Sequence, residues 1–143
     1  MRRALDVAKC TPAGDVPVGA VLFDAAGKEL ATGVNRREQR ADPTAHAEVE
    51  AIRQAVRVHG AGWRLSGCEL VVTLEPCAMC AGAISHARIG RVVWAADDPK
   101  GGAVVHGPRV FTQPTVHHRP EVYDGIGGGE AAALLRDFFA ARR

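Results

Sequence analysis

The chain has 143 residues, a length that suits one compact domain with a buried core. Its hydrophobic content of 47% and charged content of 24% are near globular averages, which excludes a disordered or fibrous protein. The formal net charge of +2 permits contact with a polyanion, but it lacks the strong basic excess of most nucleic-acid-binding domains.

The sequence contains no membrane or export signal. No apolar run approaches the roughly 20 residues that a membrane-spanning helix requires. Arg2 and Arg3 are not followed by the apolar stretch of a secretory signal. We therefore expect a cytoplasmic protein without membrane contact. In that compartment the four cysteines fit metal ligands, reactive thiols or core residues better than disulfides.

The first half of the chain predicts a helix, a hairpin and a second helix. Residues 1–10 form a short amphipathic stretch. The runs 18–23 and 30–34 predict two strands joined by a turn-rich spacer, which indicates a hairpin. After a polar, arginine-rich loop, Thr44 is the expected N-cap of a helix that runs to about His59.

The second half alternates strands and helices. Residues 68–74 and 91–95 predict strands, and the alanine-rich segment 77–87 predicts a helix that starts after Pro76. An irregular stretch over 97–113 then leads to a short strand near 121–123 and a helix over 130–143. This order indicates a single domain over residues 1–143, of the α/β class, with helices on both faces of a sheet.

Two short motifs carry the candidate chemistry. The first is His46-Ala47-Glu48, and the second is Pro76-Cys77-Ala78-Met79-Cys80. Residues three apart share a helix face, so both sulfurs of the second motif can reach one ion. The partial positive charge of a helix N-terminus favours thiolates there. Alone, this pair fits a redox couple or half of a structural zinc site equally well.

Combined, the motifs predict a catalytic zinc site. His46, Cys77 and Cys80 supply three protein ligands and leave the fourth tetrahedral position for water, as catalytic rather than structural sites do. The alternative is a closed structural site completed by Cys10 or Cys68, but neither cysteine belongs to a paired spacing.

Glu48 is the expected proton carrier. Two thiolates balance the charge of zinc, so the metal acidifies its water less and a carboxylate must help to take the proton. Because His46 and Glu48 are two residues apart, they share no face of a regular helix, and both can serve one metal only if the helix end abuts it. The expected reaction is hydrolytic deamination of an amidine-type carbon with release of ammonia.

These motifs and the blocks around them resemble the cytidine deaminase superfamily and, within it, the bacterial tRNA-specific adenosine deaminases. The resemblance covers nearly the whole chain, through residues 16–21, 35–36, 42–48, 72–83, 85–93 and 132–139. It implies a three-layer α/β/α cytidine-deaminase-like fold with a central mixed sheet of about five strands. It also implies one Zn²⁺ per subunit, a homodimer, and conversion of adenosine to inosine at the wobble position of a tRNA anticodon stem-loop.

The resemblance also assigns residues. It implies His46, Cys77 and Cys80 as zinc ligands, Glu48 as proton shuttle, and Asn35, Ala47, Asp98 and Lys100 as substrate contacts. Asn35 fits a turn after a strand equally well, and Asp98 and Lys100 fit an ordinary turn. The chain departs from the family's usual Lys-Thr-Gly-Ala run at residues 100–103, which leaves the nucleic-acid contacts of the 99–112 loop open.

Two other functions stay open at this point. A free-base deaminase of the guanine or cytosine type would keep the zinc site and the proton shuttle but ignore RNA, and the weak net charge fits it. A non-enzymatic, zinc-stabilised binding module would require a fourth protein ligand.

Overall fold

A computed structural model describes every residue from Met1 to Arg143. Its elements, in chain order, are α1 (Arg2–Ala8), β1 (Gly19–Phe23), β2 (Glu29–Val34), α2 (Arg37–Arg40), α3 (Ala47–His59), β3 (Glu69–Leu74), α4 (Ala78–His86), β4 (Arg91–Ala96), a 3₁₀ turn (Val110–Thr112), β5 (Glu121–Tyr123) and α5 (Gly128–Ala140). No helix is long and apolar enough to span a bilayer.

The five strands form one mixed sheet in the order β2-β1-β3-β4-β5. Strand β1 is antiparallel to both neighbours, whereas β3, β4 and β5 are parallel. Strands β2, β3 and β4 therefore run in the same direction and end at one edge of the sheet. The segments that follow them start from this edge, which is where open α/β sheets bind their ligands.

The strand side chains alternate between two cores. Leu70, Val72 and Trp94 point to the face covered by α3 and α4, where the largest cluster of buried residues lies. Val71 and Val93 point to the opposite face, which α1 and α5 cover. The three-layer α/β/α architecture with a mixed five-stranded sheet is confirmed.

Two local predictions are wrong. Thr44 does not cap α3, because its hydroxyl and its N–H donate to the Asp42 carboxylate instead. The helix begins at Ala47, with extended His46 as its N-cap. The arginine-rich segment is not only a loop but contains the short helix α2, which ends at Ala41 with a φ of 49°.

Gly33 allows α3 to lie directly on β2. A Cβ atom at this position would lie 2.1 Å from the Ala47 carbonyl oxygen and 2.7 Å from the Ala51 nitrogen. Both of those atoms are helix backbone, so neither can rotate out of the way. The missing side chain therefore sets the distance between β2 and the first turn of α3, the turn that follows His46.

We expect Gly33→Ala to destabilise the protein by about 1–3 kcal/mol, because the added methyl group forces α3 off the sheet. Gly14→Ala is the control, since no atom lies within 4 Å of a Cβ there; its effect should stay within about 0.5 kcal/mol. Urea unfolding measures both variants. Equal stabilities would contradict the close contact of helix and strand.

Candidate active site

Three side chains meet at the edge of the sheet where β2, β3 and β4 end. His46 Nδ1 lies 3.6 Å from Cys77 Sγ and 3.5 Å from Cys80 Sγ. Zinc bonds of about 2.0 Å to nitrogen and about 2.3 Å to sulfur, at the tetrahedral angle, place those atoms about 3.6 Å apart. Both nitrogen-to-sulfur distances thus already match a zinc tetrahedron, and all three ligand atoms lie within 4.8 Å of one another.

Two helix N-termini supply these ligands. His46 is the N-cap of α3, with φ −77° and ψ 153°, and Cys77 is the N-cap of α4, with φ −73° and ψ 176°. Neither side chain caps its own helix. Cys80 lies in the first turn of α4, so both thiols sit where the helix dipole favours negative charge.

The two thiols differ in pKa. The pKa of Cys77 is lowered to about 4, mainly because the Cys80 thiol donates a hydrogen bond to it, with His46 acting in the same direction. The pKa of Cys80 is raised by that same hydrogen bond and by burial. Cys77 is therefore the thiol that ionises first, and a bound cation would favour the thiolate of Cys80.

The other two cysteines lie outside this cluster. The metal-binding group consists of His46, Cys77 and Cys80 alone. Cys10 is exposed and its thiol donates to the Asp6 carbonyl oxygen, whereas Cys68 is buried in the large core. No fourth protein ligand closes the site, so the structure supports the open arrangement and not the structural zinc site.

Glu48 follows the ligand His46 at the second residue of α3 and is almost fully buried. Burial raises its pKa to about 7, although its own backbone N–H opposes that shift. A carboxyl group with this pKa can both accept and return a proton near neutral pH. Because His46 lies outside the helix and Glu48 in its first turn, residues two apart do reach one site.

A cavity of about 260 Å³ opens beside the ligands. Among its lining residues are six of those predicted from the sequence: Asn35, His46, Ala47, Glu48, Cys77 and Asp98. Ligand pockets usually start at about 300 Å³, so this cavity suits one planar base rather than a larger molecule.

The predicted substrate contacts differ in position. Asn35 lines the cavity, and its amide also donates to the Val16 carbonyl oxygen at 3.1 Å and accepts from the Arg37 N–H at 3.2 Å. Asp98 lines the cavity and accepts from the N–H groups of two following residues. Lys100 is exposed and does not line the cavity, so its contact with substrate stays a prediction.

Sequence reasoning missed Asp15. This buried carboxylate accepts the N–H groups of Glu38 at 2.7 Å and Gln39 at 3.1 Å, and so caps the start of α2. It thereby fixes the segment that brings Arg37 to the cavity wall. No spacing rule links residues more than twenty positions apart, so the sequence carried no signal for this contact.

Sequence reasoning also missed Glu75, a second buried carboxyl on the cavity wall. Burial opposes its charge, but hydrogen bonds from the Asp98 N–H, the His106 ring and nearby backbone hold its pKa below the usual value. The pKa values of Glu48 and Glu75 are therefore shifted in opposite directions. A carboxyl with a raised pKa, such as Glu48, is suited to proton transfer, whereas one with a lowered pKa, such as Glu75, stays charged.

Comparisons with known proteins agree with this site. Residues 1–96 match the zinc-binding region of the cytidine and deoxycytidylate deaminases. The tRNA-specific adenosine deaminase of Agrobacterium fabrum (strain C58) is 52% identical over 90% of this chain and 84% of its own.

Two solved structures share the fold. One comes from work on A-to-I editing by tRNA:A34 deaminases at the wobble position of transfer RNA; it is 50% identical, with a TM-score of 0.88 over 94% of this chain and 97% of that chain. The guanine deaminase of Nitrosomonas europaea is 25% identical, with a TM-score of 0.82 over 97% of this chain and 82% of that chain.

Replacing a ligand should remove the metal. We expect Cys80→Ser to lower the zinc content from about one ion per chain to a small fraction of that, because a thiolate ligand is lost. Cys10→Ser is the matched control and should keep its zinc. Metal analysis after dialysis measures both proteins. Equal zinc contents, or loss in the Cys10 variant alone, would contradict the assigned ligand set.

Proposed function

This chain belongs to the cytidine and deoxycytidylate deaminase family, and we propose that it deaminates adenosine to inosine at the wobble position of a tRNA anticodon. The observation that supports the proposal is a group of three side chains able to hold a metal ion, with the buried Glu48 carboxyl beside them, on a cavity of about one base's size. The sequence identity to tRNA-specific adenosine deaminases supports a tRNA adenosine as the substrate.

The reaction consumes one water and releases one ammonia. When bound by His46, Cys77 and Cys80, zinc supplies the Lewis acidity that makes water nucleophilic at neutral pH. The Glu48 carboxylate takes a proton from the attacking water and gives it to N1 of the adenine ring. It then takes the proton of the hydroxyl group added at C6 and gives it to the amino nitrogen. The C–N bond breaks, ammonia leaves, and Glu48 is again a carboxylate.

The cavity requires an unstacked base. A base within a duplex cannot reach a buried site without leaving its stack. Unstacking costs a few kcal/mol, and the cost is smallest for a base in a single-stranded loop. Asn35 can hold such a base, since its amide retains one N–H and one lone pair beyond the two hydrogen bonds it makes. Ala47 is the first residue of α3, so its backbone N–H lacks a partner within the helix and can donate to the base.

A groove lined by arginines lies along the outer edge of β2. Its charged and polar side chains include five arginines and one glutamate: Arg3, Arg36, Arg40, Glu50, Arg53 and Arg57. The groove measures about 690 Å³, and one of its lining residues, Arg36, directly follows Asn35 of the cavity wall in the chain. Excess positive charge along such a path suits the phosphates of the anticodon stem.

Three further features belong to the proposal. Residues 1–143 form a single catalytic domain, supported by the one sheet that spans the chain. The enzyme works as a homodimer, supported by the exposed apolar side chains of Val58 and Met79 on the helices that follow the zinc ligands. A cytoplasmic location is inferred from the proposed tRNA substrate.

A free-base deaminase is the alternative, since the guanine deaminase of Nitrosomonas europaea shares the fold. It is less favoured, because that identity is 25% against 52% for a tRNA-specific adenosine deaminase. The arginine groove also has no role in binding an uncharged free base.

Removal of the proton carrier should abolish turnover and leave the metal in place. We expect Glu48→Gln to lower kcat on an anticodon stem-loop by at least about 1,000-fold, because an amide cannot take up the proton. Zinc content and the unfolding midpoint should stay close to those of the unaltered protein. Inosine formation at saturating RNA measures the loss, and undiminished kcat would overturn the role of Glu48.

Arginines far from the cavity should affect RNA binding alone. Arg57 lies about 15 Å along α3 from Ala47 and makes no ion pair. We expect Arg57→Ala to weaken binding of the stem-loop several-fold and to reduce the slope of log affinity against log salt by about one. The control is Arg119→Ala, at the opposite end of the sheet next to β5. Equal salt slopes in the two variants would contradict the groove.

A further inference from the structure

Glu75 is a buried acidic side chain on the cavity wall. It follows β3 directly, two residues before the zinc ligand Cys77, and its side chain has 0% exposure to solvent. Acidic residues are almost never fully buried unless they are paired. The mechanism assigns no proton transfer to this carboxylate, so its burial needs another explanation.

Five donors surround the Glu75 carboxylate. Oε1 accepts the backbone N–H groups of Val104 at 3.2 Å, Val105 at 2.9 Å and His106 at 3.1 Å. Oε2 accepts the Asp98 N–H at 2.9 Å and the His106 ring Nδ1 at 2.8 Å. An ionised carboxylate has about four lone-pair sites, so none is left for substrate.

All five donors belong to one segment, the loop over residues 98–106. The loop touches the carboxylate so closely that a Cβ atom at Gly102 would lie 2.4 Å from Glu75 Cδ. Gly102 also forms a β-bridge with Cys77, and the Ala103 N–H donates to the Pro76 carbonyl oxygen at 2.9 Å. The buried Glu75 carboxylate thus holds the 98–106 loop against the segment that contains the metal ligand Cys77.

Two residues of the fastened loop, Asp98 and Gly101, line the cavity. We propose that Glu75 is a positioning residue. By binding the backbone of the 98–106 loop, it holds the Asp98 side of the cavity in the shape that binds the RNA base. We call Glu75 and its five donors in this loop the clamp. His106 completes this clamp, with the imidazole donating its Nδ1 proton to the carboxylate. The role rests on the proposed function, because the seated base is that of the RNA.

The clamp acts on binding of the base and not on proton transfer. Its loss should raise KM for the stem-loop about tenfold, an effect as large as the smallest that follow loss of the hydrogen-bond partners that orient metal ligands. The value of kcat at saturating RNA should change less than about threefold, since Glu48 and the ligands keep their places. A purely structural role would lower stability without this split between KM and kcat.

The test compares His106→Leu, His106→Asn and Glu75→Gln with the unaltered protein. Leucine removes the ring donor, whereas the asparagine amide can offer an N–H near the position of Nδ1. We expect the raised KM in the leucine variant and its recovery in the asparagine variant, with zinc content unchanged in both. Glu75→Gln should give the larger effect; if that variant fails to fold, the two His106 variants decide.

Hydrogen–deuterium exchange separates this inference from the proposed function. The amides of Asp98 and residues 104–106 should exchange at least about tenfold faster in the Glu75→Gln or His106→Leu protein, whatever the substrate is. Unchanged exchange, a fall in kcat without a rise in KM, or loss of zinc in His106→Leu would overturn the inference. Faster exchange in a protein whose unaltered form edits no stem-loop would show that the proposed function alone had failed.

Discussion

Two helices begin at the same edge of the sheet, and that juxtaposition holds His46 Nδ1 3.5–3.6 Å from two sulfur atoms. His46 lies 31 and 34 positions from the two cysteines in the chain, so only the fold brings it to them. Strands β2 and β3 run the same way, and the segments after them must start from one edge. Small residues complete the arrangement, since Gly33 and the buried alanines of α3 let the helix lie against the strand.

At the same edge of the sheet, two buried carboxyls have different surroundings and therefore different pKa values. Glu48 lies in a helix start beside an ionising thiol, and burial raises its pKa to about 7. Glu75 faces five donors, and its hydrogen bonds keep its pKa below the usual value despite burial. One carboxyl is therefore suited to carry protons, while the other remains a fixed negative charge that orders a loop.

Much of this could be predicted from the sequence because local patterns carry it. The strand runs, the approximate helix positions and the grouping of His46 with Cys77 and Cys80 follow from periodicity and ligand chemistry. The capping of α3 could not be predicted, because the Asp42 carboxylate competes for the Thr44 hydroxyl and accepts it at 2.7 Å. A local rule cannot decide between two satisfied hydrogen-bond patterns.

Contacts between loops escaped prediction for a different reason. Asp15 reaches α2 and Glu75 reaches the 98–106 loop across 23 to 31 positions of the chain. Nothing in their neighbours distinguishes either residue from an ordinary surface carboxylate. Their burial depends on how irregular segments cross the edge of the sheet, which has no period and no spacing rule.

Competition between substrates on the zinc-loaded protein tests the central claim most directly. An anticodon stem-loop with adenosine at its first anticodon position is incubated beside free adenine, adenosine, guanine and cytosine, and inosine and ammonia are followed together. We predict inosine in the stem-loop, an equal amount of ammonia, and no turnover of the free compounds. Ammonia from a free base, with the stem-loop unchanged, would contradict it.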